Sequence, residues 1–589
     1  MNRLLHRSRK FSLLLITSLV LTSLLAACAN DGQETKSQPT TSVTFESTAV
    51  PTNTVQPPTP TPLPPTPTPV QEVVTSGEDD SARLDAGVFV LAMGDGKHQH
   101  LFAYHPVNLP LTRITGGEYD YSDPAISPDG TRIALCANPS GNWEIHVLNL
   151  LTTEQVQVTE TGSYACAPSW SPDGLWLAYE TLINDKLTVM LKSTVDDTTP
   201  PMQLTDNLGN NFDPAWSPGG RVIAFVTDRN GKLEIWQADL NAVENRLAPL
   251  LVSDEANYSA PAWSMDGTSL MWSKTTDQPM IERRNIGEGS PETITLGTGL
   301  IPAWATDKLG VAAILRAPNG YELVSYRSDP TRLLFPAIHL PDRVTSLTWQ
   351  SGNFVANVDS YLKLSVSTAP GPLFEPEASS PDENTGLFNR IFIEDLEAPE
   401  TYLSDTVNDR FTAMRDQLNA ELGWDFLGIL QSASTPLPTD TQMDIRGDWL
   451  YTGRAIAVNL DPLDAGWMMA SREDYNGRTY WRIWLKCMQQ DGTCGIPLKE
   501  PVWDFSVRYN GDSTAYENGG ETGAVPNGYW LDFTAFALRY GWERLPAQST
   551  WRNYFPATNI NLFTITDGLT WQQGMLQRYT PQLLEGFLP

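Results

Sequence analysis

Histidine is scarce in this chain of 589 residues: there are six, and none follows His339. A hydrolytic zinc centre needs three protein ligands and a base, usually with imidazoles among them, so the long stretch beyond His339 is poorly supplied for that chemistry. Basic residues are also few. Lysine and arginine number 39 against 69 acidic residues, a formal net charge of -30, and nucleic-acid phosphates would be repelled. Long apolar runs are confined to Phe11–Leu25. No Gly-x-Ser-x-Gly elbow, phosphate loop or dinucleotide fingerprint occurs. His98-Gln99-His100 offers two imidazoles with no third ligand nearby in sequence. No catalytic residue, metal site or cofactor is therefore expected.

What the chain has is a repeat. An apolar or aromatic residue precedes a turn at Ile126, Trp170, Trp216, Trp263, Trp304 and Trp349, at spacings of 44, 46, 47, 41 and 45. A period of this length suits one four-stranded propeller blade. Ser127-Pro128-Asp129-Gly130 and Ser171-Pro172-Asp173-Gly174 are tight turns: Ser can bond the backbone, Pro presets φ and Gly closes the turn. Strand-like runs follow, such as Arg221–Val226 and Leu233–Trp236. Asp123, Asp213 and Glu234 recur at repeat positions and are read as turn or inter-blade hydrogen bonders.

The phrase Asp213-Pro214-Ala215-Trp216-Ser217-Pro218-Gly219 resembles the TolB-type (PD40) propeller repeat. The resemblance covers residues 84–370 and implies a six-bladed, or possible seven-bladed, β-propeller followed by a smaller α+β domain, a mainly β fold. Its motif decays at Ala305-Thr306-Asp307-Lys308 and Gln350-Ser351-Gly352. Residues 87–115, which lack the motif, are expected to close the ring with the last repeat.

Residues 1–27 read as a secretory leader, with Arg3, Arg7, Arg9 and Lys10 before the apolar run. Leu25-Ala26-Ala27-Cys28 resembles the bacterial lipobox, which implies lipidation of Cys28. Residues 28–83 are rich in Ser, Thr and Pro and form a disordered stalk, with the Pro57–Pro69 tract extended. Apart from Cys28, four of the five cysteines remain, an even number in an exported protein. Cys487 and Cys494 flank an Asp-Gly hairpin whose closure would contribute about 2.5 kcal/mol. Cys136 and Cys166 fall in adjacent blades and are the second candidate bridge.

Residues 371–390 form a linker and 391–589 the α+β domain. Val407, Phe411, Met414, Leu418 and Leu422 make one face of a helix from about Ser404, with Ser404 or Asp405 as cap. A second helix is expected at Trp530–Tyr540, and strands at Arg454–Leu460, Trp467–Ser471 and Thr479–Cys487. The order of parts around Leu450–Val458 and Trp551–Thr564 faintly resembles the zinc D-Ala-D-Ala carboxypeptidase and hedgehog-type peptidases. The resemblance puts the family's first zinc histidine at Leu450, its aspartate at Ala457, its closing histidine near Asn561 or Leu562, and its glutamate near Thr564. Leu and Ala cannot ligate zinc, which makes this a pseudoenzyme domain. Ten of the nineteen tryptophans lie here. Most tryptophans pack cores; a groove at Tyr451, Arg454, Tyr529 and Trp551 is the candidate ligand site.

The reading is a non-catalytic lipoprotein on the outer face of a bacterial membrane, extracellular or periplasmic. Its propeller would be a platform for an envelope protein or cell-wall component, with the membrane reached through the lipid and no nucleic-acid partner. The alternative is a cell-wall peptidase or a carboxylate-based glycan hydrolase.

Overall fold

The computed structural model describes residues 87–107, 109–253, 255–287, 292–305, 310–327, 333–350, 373–440 and 443–587. The leader, Cys28, the stalk, residues 84–86, 306–309 and 351–370 lie outside them. Between Val88 and Gln350 the described residues form six four-stranded antiparallel sheets. Their innermost strands are Tyr121–Ile126, Ala165–Trp170, Asn211–Trp216, Asn257–Trp263, Leu300–Trp304 and Val344–Gln350. Each touches the next, and the last touches the first. Val344–Gln350 pairs with Val88–Asp95, so one sheet is completed by both ends of the propeller sequence, as expected for residues 87–115.

The repeated residues explain how blades attach to one another. Indole Nε1 of Trp170 donates to the Ala125 carbonyl at 2.9 Å, Trp263 to Ala215 at 3.1 Å and Trp304 to Ala262 at 3.0 Å. Each tryptophan thus staples its blade to the one before. In the turns, the Ser127 and Ser171 hydroxyls bond Asp129 and Asp173 and accept from the backbone of Arg132 and Trp176. The residue before each inner-strand proline has positive φ: Asp123 49°, Ala167 50°, Asp213 47°, Ala260 48° and Ile301 54°. The strand pairing slips at each of these places. A bulge re-aims a side chain out of the ladder, and here it puts these residues on the lining of the central cavity.

The C-terminal domain is mixed α and β, and its first helix starts later than the sequence indicates. It runs Asn408–Leu422, with Val407 at the N-cap and no side-chain cap. Val407 is buried, so packing decides the start instead of Ser404 or Asp405. The expected stripe Phe411, Met414, Leu418 and Leu422 is buried, and Gly423 ends the helix at φ 78°. The second helix is also shorter. Tyr529–Asp532 is a strand in the middle of a sheet, and Asp532 then caps a helix Phe533–Arg539 by accepting from Ala535 N. The three expected strands appear as Ala455–Val458, Met468–Tyr475 and Arg478–Lys486.

Cys487 and Cys494 are disulfide-bonded, as are Cys136 and Cys166. The first pair does not close a hairpin, however. Strand Tyr529–Asp532 lies between Arg478–Lys486 and Ile496–Pro497, so the loop through Gly492 crosses over an intervening strand. The strand Ala455–Val458 lies beside Leu562–Thr564, with Ala457 opposite Leu562 and Ala455 opposite Thr564. Of the positions that the peptidase resemblance assigns, Ala457 and Leu562 are thus directly opposed and Thr564 shares the second strand, whereas Leu450 lies in the short 3-10 helix Trp449–Thr452.

The two parts share one core. A single buried cluster holds Tyr164, Leu187 and Phe212 of the propeller with Phe411, Ile483 and Trp542 of the C-terminal domain. Contacts fall on the face formed by the turns between second and third strands and by the inter-blade links. Asp277 pairs with Arg472, Asp342 with Arg539, Arg343 with Asp532, and the Pro318 carbonyl accepts from Arg544. Tyr164 and Tyr529 pack edge to face at 6.5 Å. The C-terminal domain is a cap on one mouth of the ring.

Candidate functional site

Between ring and cap lies a cavity of about 1350 Å³. Drug-sized ligands occupy pockets of roughly 300–1,000 Å³, so this space can take a longer ligand or a chain segment. Its walls are the inner-strand bulges, and it reaches the turn residues Pro128, Pro172, Pro218 and Met265 along the ring axis. On the cap side it is lined by Gln417 and Ala420 of the first helix, by Gly495–Glu500 and by Trp530–Asp532.

The lining is asymmetric because the repeat's bulge position is not occupied alike in every blade. Asp123 and Asp213 occupy it on one side, flanking Ala167, and Ala260 and Ile301 on the other. Between the two aspartates sits Glu180, on the strand Trp176–Ile183. Lys499 comes down from the cap, with its Nζ 2.5 Å from Glu180 Oε1 and 2.9 Å from Asp213 Oδ1. The Tyr164 hydroxyl donates to Glu180 Oε1 at 2.8 Å, and Asp213 N donates to Oε2 at 2.9 Å. Burial opposes the charge of Lys499, but Asp213 and then Glu180 outweigh it and its pKa is raised. Asp123 is partly open to the cavity yet surrounded by protein. Burial pushes its pKa up, and the attraction of Lys499 only partly offsets this.

A second ionic cluster fastens the cap. Glu473 takes Arg482 at 2.7 Å, Arg544, and Arg316 of the propeller at 3.5 Å. Arg316 also reaches Glu500 at 3.0 Å, and Arg482 reaches Asp532 at 2.7 Å. Burial opposes ionisation of Glu473, but Arg482, Arg544 and Arg316 together hold its carboxyl far below the usual carboxylate range. Glu473 and Asp532 are structural anions held by guanidinium groups and are not free for acid–base work.

The four residues proposed as a groove are not brought together. Tyr451 packs with Met575 and Leu584. Arg454, 2% exposed, binds Asp567, the Ile565 carbonyl and Thr406 Oγ1. Tyr529 faces the propeller beside Tyr164, and Trp551 packs on Trp481 at 5.3 Å. All four are buried, because a tryptophan-rich sequence here builds core. His98 and His100 do not converge either. They alternate along one strand, with His98 next to Asp120 and His100 buried against Thr115. Sequence reasoning read Asp123 and Asp213 as structural hydrogen bonders and did not single out Glu180 or Lys499. One signal was legible: two of the x-Pro positions carry aspartate where others carry Ala or Ile.

The alternating blades, the tryptophan staples and the axial cavity describe a known kind of ring. Residues 112–312 match the PD40 family model, the TolB beta propeller domain. That stretch is similar to a TolB-type β-propeller domain. Similar solved structures include TolB from Acinetobacter baumannii, at 17% identity and a TM-score of 0.40, over 45% of this chain and 67% of that one. Putative TolB from Agrobacterium tumefaciens is 21% identical, with a TM-score of 0.30, over 36% and 83% of the two chains. A prolyl endopeptidase is 13% identical, with a TM-score of 0.31, over 46% of each chain. No curated protein matches the chain in sequence. The match to the TolB-type propeller domain ends before the cap.

Proposed function

We propose that this is a binding protein of the cell envelope, exported and lipid-anchored through Cys28, that takes its ligand in the chamber between propeller and cap. The observation that carries this is the chamber itself. It is large, lies on the ring axis and is lined by both parts of the chain. The leader and stalk support export, and two disulfides fit an oxidising compartment. The partner class is a cell-wall component or an envelope protein. A non-catalytic role is supported by the arginine-bound state of Glu473 and Asp532 and by the lack of histidine beyond His339.

The test is co-sedimentation of the mature protein with purified cell-wall sacculi, beside Ala420→Trp. Ala420 lines the chamber from an exposed helical position, so the indole narrows the space without repacking a core. Sedimentation of the parent and its reduction in the variant are expected. A parent that stays in solution, or a variant that sediments equally well, would reject the chamber as the wall-binding site.

A further inference from the structure

The chamber already holds a cation, and that cation belongs to the protein. Lys499 is the cap's only lysine among the described residues to pair with propeller carboxylates. It behaves differently from the arginines that fasten the cap. Arg482 and Arg544 are 3% and 4% exposed and are locked in forks. Lys499 is 23% exposed and lies on the chamber wall, where solvent and solutes can reach it.

Its surroundings hold three carboxyl groups for one ammonium. Glu180 and Asp213 touch it, while Asp123 feels its charge without a direct ion pair. The rest of Glu180's hydrogen bonding is spent on Tyr164 and Asp213 N, which fixes the carboxylate in place before any ligand arrives. Across the chamber, Ala260 and Ile301 offer an apolar wall. A flexible alkyl stem bearing a compact ammonium, seated against fixed carboxylates in an accessible chamber, is how an amine-bearing ligand would bind end-on.

We propose that Lys499 is a tethered, autoinhibitory occupant of an alkylammonium subsite, displaced when a ligand with a primary amine beside an apolar body takes Asp213 and Glu180. The inference rests on reading the chamber as the binding site, and names the ligand chemistry that its floor selects.

Chemical rescue tests it on the mature chain. Lys499→Ala strands the carboxylates and opens a void of the size of the lost side chain. Its melting temperature should fall, and propylammonium should restore it along a saturating curve. Tetramethylammonium and sodium chloride at equal ionic strength should not. Adding Asp213→Asn should remove the saturable part. A folded Lys499→Ala protein that responds to propylammonium only as it does to salt overturns the proposal, and the contact is then a closed structural ion pair. If Lys499→Ala does not fold, the parent chain decides. Propylammonium competing for the carboxylates should raise acetylation of Lys499 by acetic anhydride relative to Lys232, which lies outside the chamber, in the same sample. The internal ratio, read by mass spectrometry, cancels the reagent that the amine itself consumes, and sodium chloride should leave it unchanged. A ratio that propylammonium does not raise overturns the proposal. Sacculi enter neither assay, so failure of wall binding and failure of amine recognition are told apart.

Discussion

Glu473 and Asp123 are both surrounded by protein, yet their surroundings act in opposite directions. Arg482, Arg544 and Arg316 overcome the burial of Glu473 and depress its pKa. Removing one member of such a buried set leaves the others unpaired, at about 3–5 kcal/mol. Glu473→Gln should therefore lower stability at neutral pH by about that amount in urea melts. A depressed carboxyl stabilises above its unfolded pKa of about 4.3 and loses that contribution as pH falls. The deficit of Glu473→Gln should thus shrink in acid. Asp123 is the converse, because burial raises its pKa. Its ionisation costs stability as pH rises above about 4. Asp123→Asn should melt higher than the parent at pH 7, with the gain vanishing below about pH 4. Asparagine tolerates the φ of 49° at this position, so backbone strain does not confuse the comparison. A gain that persists unchanged in acid would show that ionisation is not its source. The sequence placed Asp123 and Asp213 at repeat positions but not their shared space, because Glu180 and Lys499 lie 33 residues before and 286 after Asp213. Only the folded ring makes them neighbours.

Strands and turns were legible where local chemistry decides them, and misread where neighbours do. The Ser-Pro-Asp-Gly turns are local, and the tryptophan before each turn follows the period. Both appear as expected. The Trp530–Tyr540 segment was read as a helix throughout, yet its first residues pair with Arg478–Lys486, and a pairing partner is invisible to periodicity. The tryptophan staples are worth testing one by one. Trp263→Phe keeps the ring but removes the donor to the Ala215 carbonyl. A loss of about 1 kcal/mol is expected for one such hydrogen bond; no loss would mean that the tryptophan is retained for packing alone. The disulfides should rank by the chain they close. With sequence separations of 30 and 7, the chain-entropy treatment gives about 3.6 kcal/mol for Cys136–Cys166 and about 2.5 for Cys487–Cys494. Paired Cys→Ser variants, melted in parallel, check the order.

The sequence marked a boundary near residue 371 and two folds on either side of it, and composition supports that division. It did not show that the second fold would cap the first, since the contacts are made by turns whose residues carry no common motif: Asp277, Pro318, Asp342 and Arg343. Two domains that touch only through polar surfaces usually unfold separately. Here the buried apolar cluster runs from Ala134 and Phe212 through Phe411 to Ile565, and Glu473 and Asp532 are neutralised partly by propeller arginines. Losing either part would expose apolar surface and strand buried charge on the other, each of which costs several kcal/mol. The mature chain should therefore show one calorimetric transition, with the van't Hoff enthalpy matching the calorimetric enthalpy. A chain ending near residue 370 should melt well below it or aggregate. Two resolved transitions, or a truncated propeller as stable as the whole, would mean that ring and cap are independent bodies.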